Sequence, residues 1–207
     1  EVDSPVIEAA DELIVRITGA GVCRTDLHIL EGQEFGEGPV PLPHVLGHEN
    51  AGVVEAVGAG VEHFTVGDPV VCYPFHTTGL DHAERRGCEH YVADRSTPGI
   101  NAPGGYAEFL KIPERSAVAL PRDSEPSSYA PLADAGLAAF RACRKAAENL
   151  RSNDTAYIVG AGGLGHLGLQ ILKILSPATV VAIDVRQEAR DLASRLGADA
   201  VHASFSE

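Results

Sequence analysis

The most constraining feature of this 207-residue chain is a strand–turn–helix pattern in its second half. The apolar run Thr155–Val159 leads directly into a glycine-rich turn, Gly160-Ala161-Gly162-Gly163-Leu164-Gly165. Leucine and isoleucine then recur at helical spacing as far as Pro177, which predicts an amphipathic helix. A second apolar run at residues 179–183, a second helix ended by Gly197 and a third strand follow. This β-α-β-α-β order predicts a parallel sheet.

The glycine-rich turn matches the G-x-G-x-x-G fingerprint of dinucleotide-binding proteins. In such a turn Gly160 permits the tight bend, Gly162 lets the backbone approach a pyrophosphate, and Gly165 lets helix and strand pack closely. The phosphates then meet the N-terminus of the following helix. An ordinary glycine-rich turn is the alternative, which the complete β-α-β context disfavours. The predicted cofactor-binding residues of the turn are Gly160, Gly162, Gly163, Leu164 and Gly165.

Asp184 ends the second predicted strand, 24 residues after Gly160. Its carboxylate can accept hydrogen bonds from the adenosine ribose hydroxyls and would repel a 2′-phosphate, so NAD is favoured over NADP. Arg186 weakens this preference. An ordinary surface aspartate is the alternative.

The first half of the chain has a different periodicity. Short β-type runs alternate with Gly and Pro as far as about residue 120, which predicts strands and loops, with a barrel-like arrangement as one possibility. The run Ala51–Val57 suits a mostly buried strand in which Gly52 allows a close backbone approach. Ala-rich helical sequence covers residues 127–150. We therefore predict two domains, residues 1–122 and 123–207.

Composition excludes several classes of protein. Lys plus Arg number 16 against 29 Asp plus Glu, and the net charge of −13 disfavours nucleic acid and anionic membranes as partners. No stretch approaches the roughly 20 apolar residues of a membrane span, and the first residues do not resemble a secretion signal. We expect a cytoplasmic protein, and its four cysteines do not suggest a disulfide scaffold.

Several motifs give the chain its resemblance to a known family. Gly47-His48-Glu49 followed by Gly52, Gly58 and Val61 is similar to the G-H-E-x-x-G-x-x-x-x-x-G-x-x-V signature of zinc-containing medium-chain alcohol dehydrogenases. The segment Gly19–His28 resembles that family's first-ligand region, and Gly104-Gly105-Tyr106-Ala107-Glu108 follows in family order. The resemblance implies an α/β protein with a GroES-like, mainly-β catalytic domain followed by a partial Rossmann domain.

The same resemblance implies the metal site. Cys23 and His48 match the family's catalytic zinc ligands, and Glu49 lies beside them as a neighbouring or transient ligand. Asp134 matches a third ligand that is Cys in many members and Asp in some subgroups. Taken singly, these residues would be a small buried hydrophobe, a core histidine and a helix cap. Only their joint pattern favours a metal site.

Other residues acquire roles from the resemblance alone. Thr25 matches a hydroxyl residue that contacts the bound alcohol, and His28 matches a histidine that passes the proton toward solvent. Arg24 matches a residue that contacts the cofactor pyrophosphate in some relatives. By its chemistry, the carboxylate of Asp26 is a candidate acceptor for orienting a ligand histidine. Thr25 as a turn residue, and residues 26–28 as an ordinary helix start, are the alternatives.

Many relatives carry a second, structural zinc bound by four cysteines. In this chain Thr78, Asp81 and Glu84 stand where cysteines would, so a thiolate site cannot form. The remaining Cys and His residues of this region match no zinc spacing, and we predict one zinc per chain; they are Cys72, His76, His82, Cys88 and His90.

The sequence therefore predicts a zinc-dependent oxidoreductase that transfers hydride between an alcohol and NAD, with the aldehyde or ketone as the reverse substrate. A polyol, threonine or formaldehyde-type dehydrogenase remains an alternative, as does a zinc-free dinucleotide-binding sensor. We expect the chain to be a fragment cut at both ends that turns over little alone, and the intact parent to be a homo-oligomer (dimer or tetramer).

Overall fold

The computed structural model describes residues 2–33 and 42–206. These form two compact units, Glu1–Asp134 and Ala135–Glu207. The first unit is mainly β and the second alternates strands with helices, which confirms the predicted α/β class. The domain boundary between residues 122 and 123, drawn from composition, stays a prediction.

An antiparallel sheet of five strands, ordered β4-β1-β2-β3-β5, forms the centre of the first unit. Side chains alternate in β1, where Leu13 and Val15 are fully buried and Arg16 is exposed. This alternation builds a core from one face of the sheet. The strands are β1 Glu12–Gly21, β2 Glu49–Val57, β3 Pro69–Cys72, β4 Phe109–Pro113 and β5 Ala117–Ala119. The core residues are Leu13, Val15, Val54, Val70, Cys72, Leu110 and Ile112.

Gly52 lies where β2 comes closest to β1. A Cβ at this position would overlap the carbonyl oxygen of Arg16, so the pairing of the two strands requires glycine here. This confirms the close backbone approach predicted from the sequence.

Short helices surround the sheet. Helix α1, Arg24–Leu30, follows β1 directly, and Asp26 in its first turn accepts a hydrogen bond from the N–H of Cys23, which begins the helix. Four 3-10 helices are also present in the described part of this unit, at Glu84–Arg86, Glu89–Tyr91, Glu114–Ser116 and Pro126–Ala133.

The Ala-rich stretch predicted as helical from residue 127 to residue 150 is divided in two. Pro126–Ala133 is a 3-10 helix, and α2 runs from Ala135 to Ala147. Pro131 lies inside the first segment, where its ring and missing N–H are incompatible with α-helical hydrogen bonding. Asp134 separates the two segments with φ −126° and ψ −64°. The break places an aspartate at the end of the first unit.

The second unit has the predicted order of strands and helices. Strands β6 Thr155–Val159, β7 Thr179–Ile183 and β8 Ala200–His202 pair in parallel, with β7 in the middle. Helices α3 Gly165–Leu175 and α4 Gln187–Arg195 connect them. Helix α3 ends just before Pro177, and Gly197 has φ 95° after α4, as the stop signals predict.

Within residues 2–33 and 42–206, no helix is both long enough and apolar enough to cross a bilayer.

Candidate metal centre and dinucleotide turn

Three side chains from distant segments of the first unit meet at one point. Cys23 begins α1, His48 immediately precedes β2, and Asp134 ends the unit. One ligand atom from each lies within 4.8 Å of the other two, and no other such group of His, Cys, Asp or Glu occurs among the described residues. Oδ2 of Asp134 is 3.6 Å from Sγ of Cys23 and 3.5 Å from Nε2 of His48.

The chemistry of this group fits a zinc ion. Thiolate, imidazole and carboxylate are the three ligand types that zinc takes in proteins. His48 is buried, and burial alone would lower its pKa, but hydrogen bonds to Asp134 and Cys23 and the nearby carboxylates raise it to about 9. His48 in turn lowers the pKa of Asp134. Without a metal, the raised pKa keeps His48 protonated at neutral pH, and its positive charge lies beside the carboxylate of Asp134.

Asp26 connects the segments that carry two of these ligands. It is 1% exposed, and its carboxylate accepts hydrogen bonds from the N–H groups of Cys23 at 2.9 Å and Gly47 at 3.3 Å. Its Oδ1 lies 3.3 Å from Nδ1 of His48, although this nitrogen makes no hydrogen bond. Asp26 therefore lies on the side of the imidazole that faces away from Asp134.

The glycine-rich turn of the second unit joins β6 to α3. Gly160 has φ 88°, a conformation that favours glycine, and its N–H donates to the carbonyl of Ile183 at 2.7 Å. A Cβ on Gly165 would overlap the carbonyl of Gly160, whereas nothing crowds Gly163. The backbone therefore has the tight bend and the close helix–strand packing that the fingerprint predicts. Among the described residues, only the Arg186 guanidinium comes within 4 Å of a Cβ built on Gly162.

Asp184 lies at the end of β7, and its carboxylate is already engaged. It accepts hydrogen bonds from the N–H of Ala161 at 2.9 Å and from the backbone and guanidinium of Arg186. Hydrogen bonds from Arg186 hold the pKa of Asp184 at about 2, so the group is an anion at neutral pH. The acceptor predicted for a ribose therefore faces a competing guanidinium.

Comparison with known proteins identifies the family. The model of the alcohol dehydrogenase GroES-like domain matches residues 9–122, more than half of the chain. The chain belongs to the alcohol dehydrogenase family. The predicted GroES-like domain is thereby confirmed.

Individual members of this family cover nearly all of the chain. The NAD-dependent alcohol dehydrogenase of Sulfurisphaera tokodaii is 38% identical over 197 residues, which are 92% of this chain and 56% of that protein. The structure of the alcohol dehydrogenase from Aeropyrum pernix matches 98% of this chain and 60% of its own, with 46% identity and a TM-score of 0.92. D-arabinose 1-dehydrogenase (NADP(+)) of Saccharolobus solfataricus is 35% identical over 92% of this chain and 55% of its own length. The chain thus spans a little over half the length of these relatives.

The other site residues predicted from the alcohol dehydrogenase resemblance lie on α1 or at the start of β2. Oγ1 of Thr25 is 3.6 Å from Sγ of Cys23. His28 is partly exposed on α1 with Nδ1 3.6 Å from Glu31. Glu49 is buried, its carboxylate lying against Gly21, and it is not a member of the converging group. Arg24 is exposed at the start of α1. Their predicted roles stay predictions.

The region that holds a structural zinc in many alcohol dehydrogenases has a carboxylate at its centre here. The side chain of Glu84 is 1% exposed and accepts hydrogen bonds from the N–H groups of Gly79 and Asp81, both at 2.7 Å. The guanidinium of Arg115 lies 3.3 Å from the same carboxylate. The sequence identified Glu84 only as a replaced cysteine. Its contact with Arg115, 31 positions later in the chain, could not be predicted from the sequence pattern around either residue.

Tyr106 is a second residue whose contacts sequence reasoning missed. It appeared only as part of the motif at residues 104–108, without a role of its own. In the structure its hydroxyl donates to Oδ2 of Asp26 at 2.9 Å. The glycines around the tyrosine were the available signal, because they allow other backbone segments to approach it closely.

Proposed function

We propose that the protein is a zinc-dependent oxidoreductase that transfers hydride between an alcohol and NAD. The observation that carries the proposal is the convergence of Cys23, His48 and Asp134 within 4.8 Å of one another. Three protein ligands from separate segments are typical of catalytic rather than structural zinc sites. Membership of the alcohol dehydrogenase family supports the same reaction.

Two of the three candidate ligands lie against a common carboxylate. Asp26 accepts the N–H of Cys23 and lies 3.3 Å from the imidazole of His48, where it can orient both. Zinc bound there supplies a Lewis acid that lowers the pKa of an alcohol hydroxyl. We assign one zinc to each chain, with Glu49 as a neighbouring carboxylate.

Thr25 and His28 form the proposed path for the hydroxyl proton. The hydroxyl of Thr25 lies 3.6 Å from Sγ of Cys23, and we assign it the first step of the relay, in which it accepts a hydrogen bond from the alcohol. His28 is on the same helix, with 29% of its side chain exposed, so it can exchange protons with solvent. Imidazole is the side chain that most often passes protons to and from water in enzymes.

The dinucleotide turn is the proposed site of the cofactor pyrophosphate. The backbone around Gly162 and Gly163 is open, and α3 begins directly behind it. Arg24 is a further proposed pyrophosphate contact. Asp184 favours NAD, while Arg186 and the relative named for NADP support NADP as the alternative cofactor.

Metal analysis of the purified full-length protein tests the zinc assignment. We expect about one equivalent of zinc, and loss of NAD-dependent alcohol oxidation by a factor of at least about 100 when zinc is removed. Cys23→Ser should lose both zinc and activity. Cys88→Ser is the matched control, because its thiol donates to the carbonyl of Arg86 and is not a member of the converging group, so this variant should keep both. Full activity with less than about half an equivalent of zinc would reject the proposal.

A substrate panel separates this reaction from the alternatives. Primary and secondary alcohols, a polyol, L-threonine, formaldehyde with glutathione and D-arabinose should be compared by kcat/KM with NAD and with NADP. A simple alcohol should give the highest value. Turnover of a sugar or of threonine in its place would keep the zinc chemistry and change the substrate. Cofactor binding without any turnover would favour the sensor.

A further inference from the structure

Tyr106 joins a third segment of the first unit to the proposed metal centre. Its hydroxyl donates to Oδ2 of Asp26 at 2.9 Å and lies 3.0 Å from the carbonyl oxygen of Gly21. The same Oδ2 accepts the N–H of Cys23 at 2.9 Å. One buried carboxylate oxygen therefore links a ligand-bearing turn to a tyrosine 80 positions later in the chain.

The backbone fixes the direction in which this tyrosine points. The N–H of Tyr106 donates to the carbonyl of Leu46 at 2.9 Å, and the N–H of Gly105 donates to the carbonyl of Gly47 at 2.9 Å. Gly47 has φ 97°, and a Cβ there would overlap the ring of Tyr106. The aromatic ring thus lies against the residue that immediately precedes His48.

The position of the Asp26 carboxylate affects the orientation of the His48 imidazole. Oδ1 of Asp26 lies 3.3 Å from Nδ1 of His48, and the opposite ring nitrogen lies 3.5 Å from Asp134. A carboxylate that accepts a hydrogen bond from the non-ligating nitrogen fixes the rotation and tautomer of a metal-binding imidazole, and Oδ1 of Asp26 lies within reach of such a bond. The hydroxyl of Tyr106 restricts the rotation of that carboxylate, because a buried carboxylate keeps the position in which its donors are satisfied.

We propose that Tyr106 is a positioning residue for the metal centre. Through Asp26 it holds the imidazole of His48 and the backbone of Cys23 in the arrangement that receives the metal, and so strengthens metal binding. This role rests on the proposed zinc site, because it acts on the residues assigned there as ligands. Tyr106 itself is not a member of the converging group.

Tyr106→Phe in the full-length protein removes only the hydroxyl. The ring remains against Gly47, and because the residue is 40% exposed, no closed cavity is created. Cobalt(II) is the probe, since its visible spectrum reports ligand geometry and its affinity can be measured against a chromophoric chelator. We expect cobalt to bind about tenfold more weakly, with an altered visible spectrum. The melting temperature of the metal-free variant should equal that of the wild type.

Tyr73→Phe is the matched control. Its hydroxyl also donates to a carboxylate, Glu89 at 3.4 Å, but that carboxylate is not in the converging group. This variant should bind cobalt as the wild type does. A cobalt affinity of Tyr106→Phe within about twofold of the wild type overturns the inference. So does an unchanged spectrum with a lowered melting temperature, because that result assigns the hydroxyl to general stability.

A double-mutant cycle with Asp26→Asn tests whether Tyr106 acts on the metal centre through Asp26. If Tyr106 acts through Asp26, its loss should weaken cobalt binding much less in the Asp26→Asn background than in the wild type. An equal loss in both backgrounds contradicts that route. Failure of the wild-type protein to bind zinc or cobalt is a distinct result, which removes the proposed metal site itself.

Discussion

His48 is the single residue whose protonation depends most on whether a metal is bound. In the metal-free protein its pKa is raised to about 9 despite burial, through hydrogen bonds to Asp134 and Cys23 and the charge of Asp26. A zinc-bound imidazole must instead be unprotonated. Proton and metal therefore compete for the same ring.

This competition predicts a pH dependence that zinc abolishes. The folded-state pKa of His48 lies above its ordinary value of 6.5, so its contribution to stability is complete below pH 6.5 and is lost as the pH rises toward 9. The free energy of unfolding of metal-free protein should fall over this range, and that of zinc-loaded protein should not. Urea unfolding at several pH values measures both.

Matched histidine variants locate the effect. His48→Asn should flatten the pH dependence of the metal-free protein, whereas replacement of His63, which is exposed, should leave it in place. A metal-free protein with constant stability between pH 6.5 and 9 would contradict the assignment.

Sequence reasoning reached the site residues to different extents. The glycines of the dinucleotide turn were predictable because a tight bend and a close approach need glycine locally. Cys23 and Asp134 are 111 positions apart, so only family resemblance could pair them. The contact of Tyr106 with Asp26 spans 80 positions and has no local signature. Long-range contacts between polar side chains are what the sequence could not supply.

Among the elements, the strands and the second unit followed the predicted pattern closely. Apolar runs and glycine stops are local properties, and they identified β2 and the β-α-β-α-β order. The 3-10 helix Pro126–Ala133 departs from the predicted α-helix because Pro131 prevents α-helical hydrogen bonding despite the Ala-rich sequence around it. This departure matters for function, since the irregular backbone after it is where Asp134 joins the ligand group.

The buried carboxylate of Glu84, at the start of the 3-10 helix Glu84–Arg86, should make the stability of this element depend on pH. Burial would raise the pKa of Glu84, but hydrogen bonds from Thr77, Asp81 and Gly79 and the charge of Arg115 lower it to about 2. The stability that this carboxylate contributes is present above its ordinary pKa of 4.5 and is lost as the pH falls toward 2.

Glu84→Gln should therefore be less stable than the wild type at pH 6, and the difference should shrink as the pH falls through this window. Urea unfolding from pH 6 down to about 2.5 measures the difference. Glu62→Gln is the control, because Glu62 is exposed and should show no such convergence. A difference that stays constant on acidification would show that Glu84 does not act as a carboxylate.

At the scale of the whole molecule, the candidate metal ligands and the dinucleotide turn belong to different units. All three candidate metal ligands lie in Glu1–Asp134, and the dinucleotide turn lies in Ala135–Glu207. A ligand stabilises the structure that binds it by mass action. Zinc and NAD should therefore protect different parts of the chain.

Hydrogen exchange of the full-length protein tests this division. At a free zinc concentration about 100 times its dissociation constant, amides of β1 and β2 that exchange through opening of the first unit should slow by up to about 100-fold. NAD should instead slow exchange in β6 and β7, next to the turn. Cys23→Ser should abolish the zinc effect and keep the NAD effect, because the thiolate is needed only for the metal. Equal protection of both units by zinc alone would show that the metal stabilises the molecule as one cooperative structure.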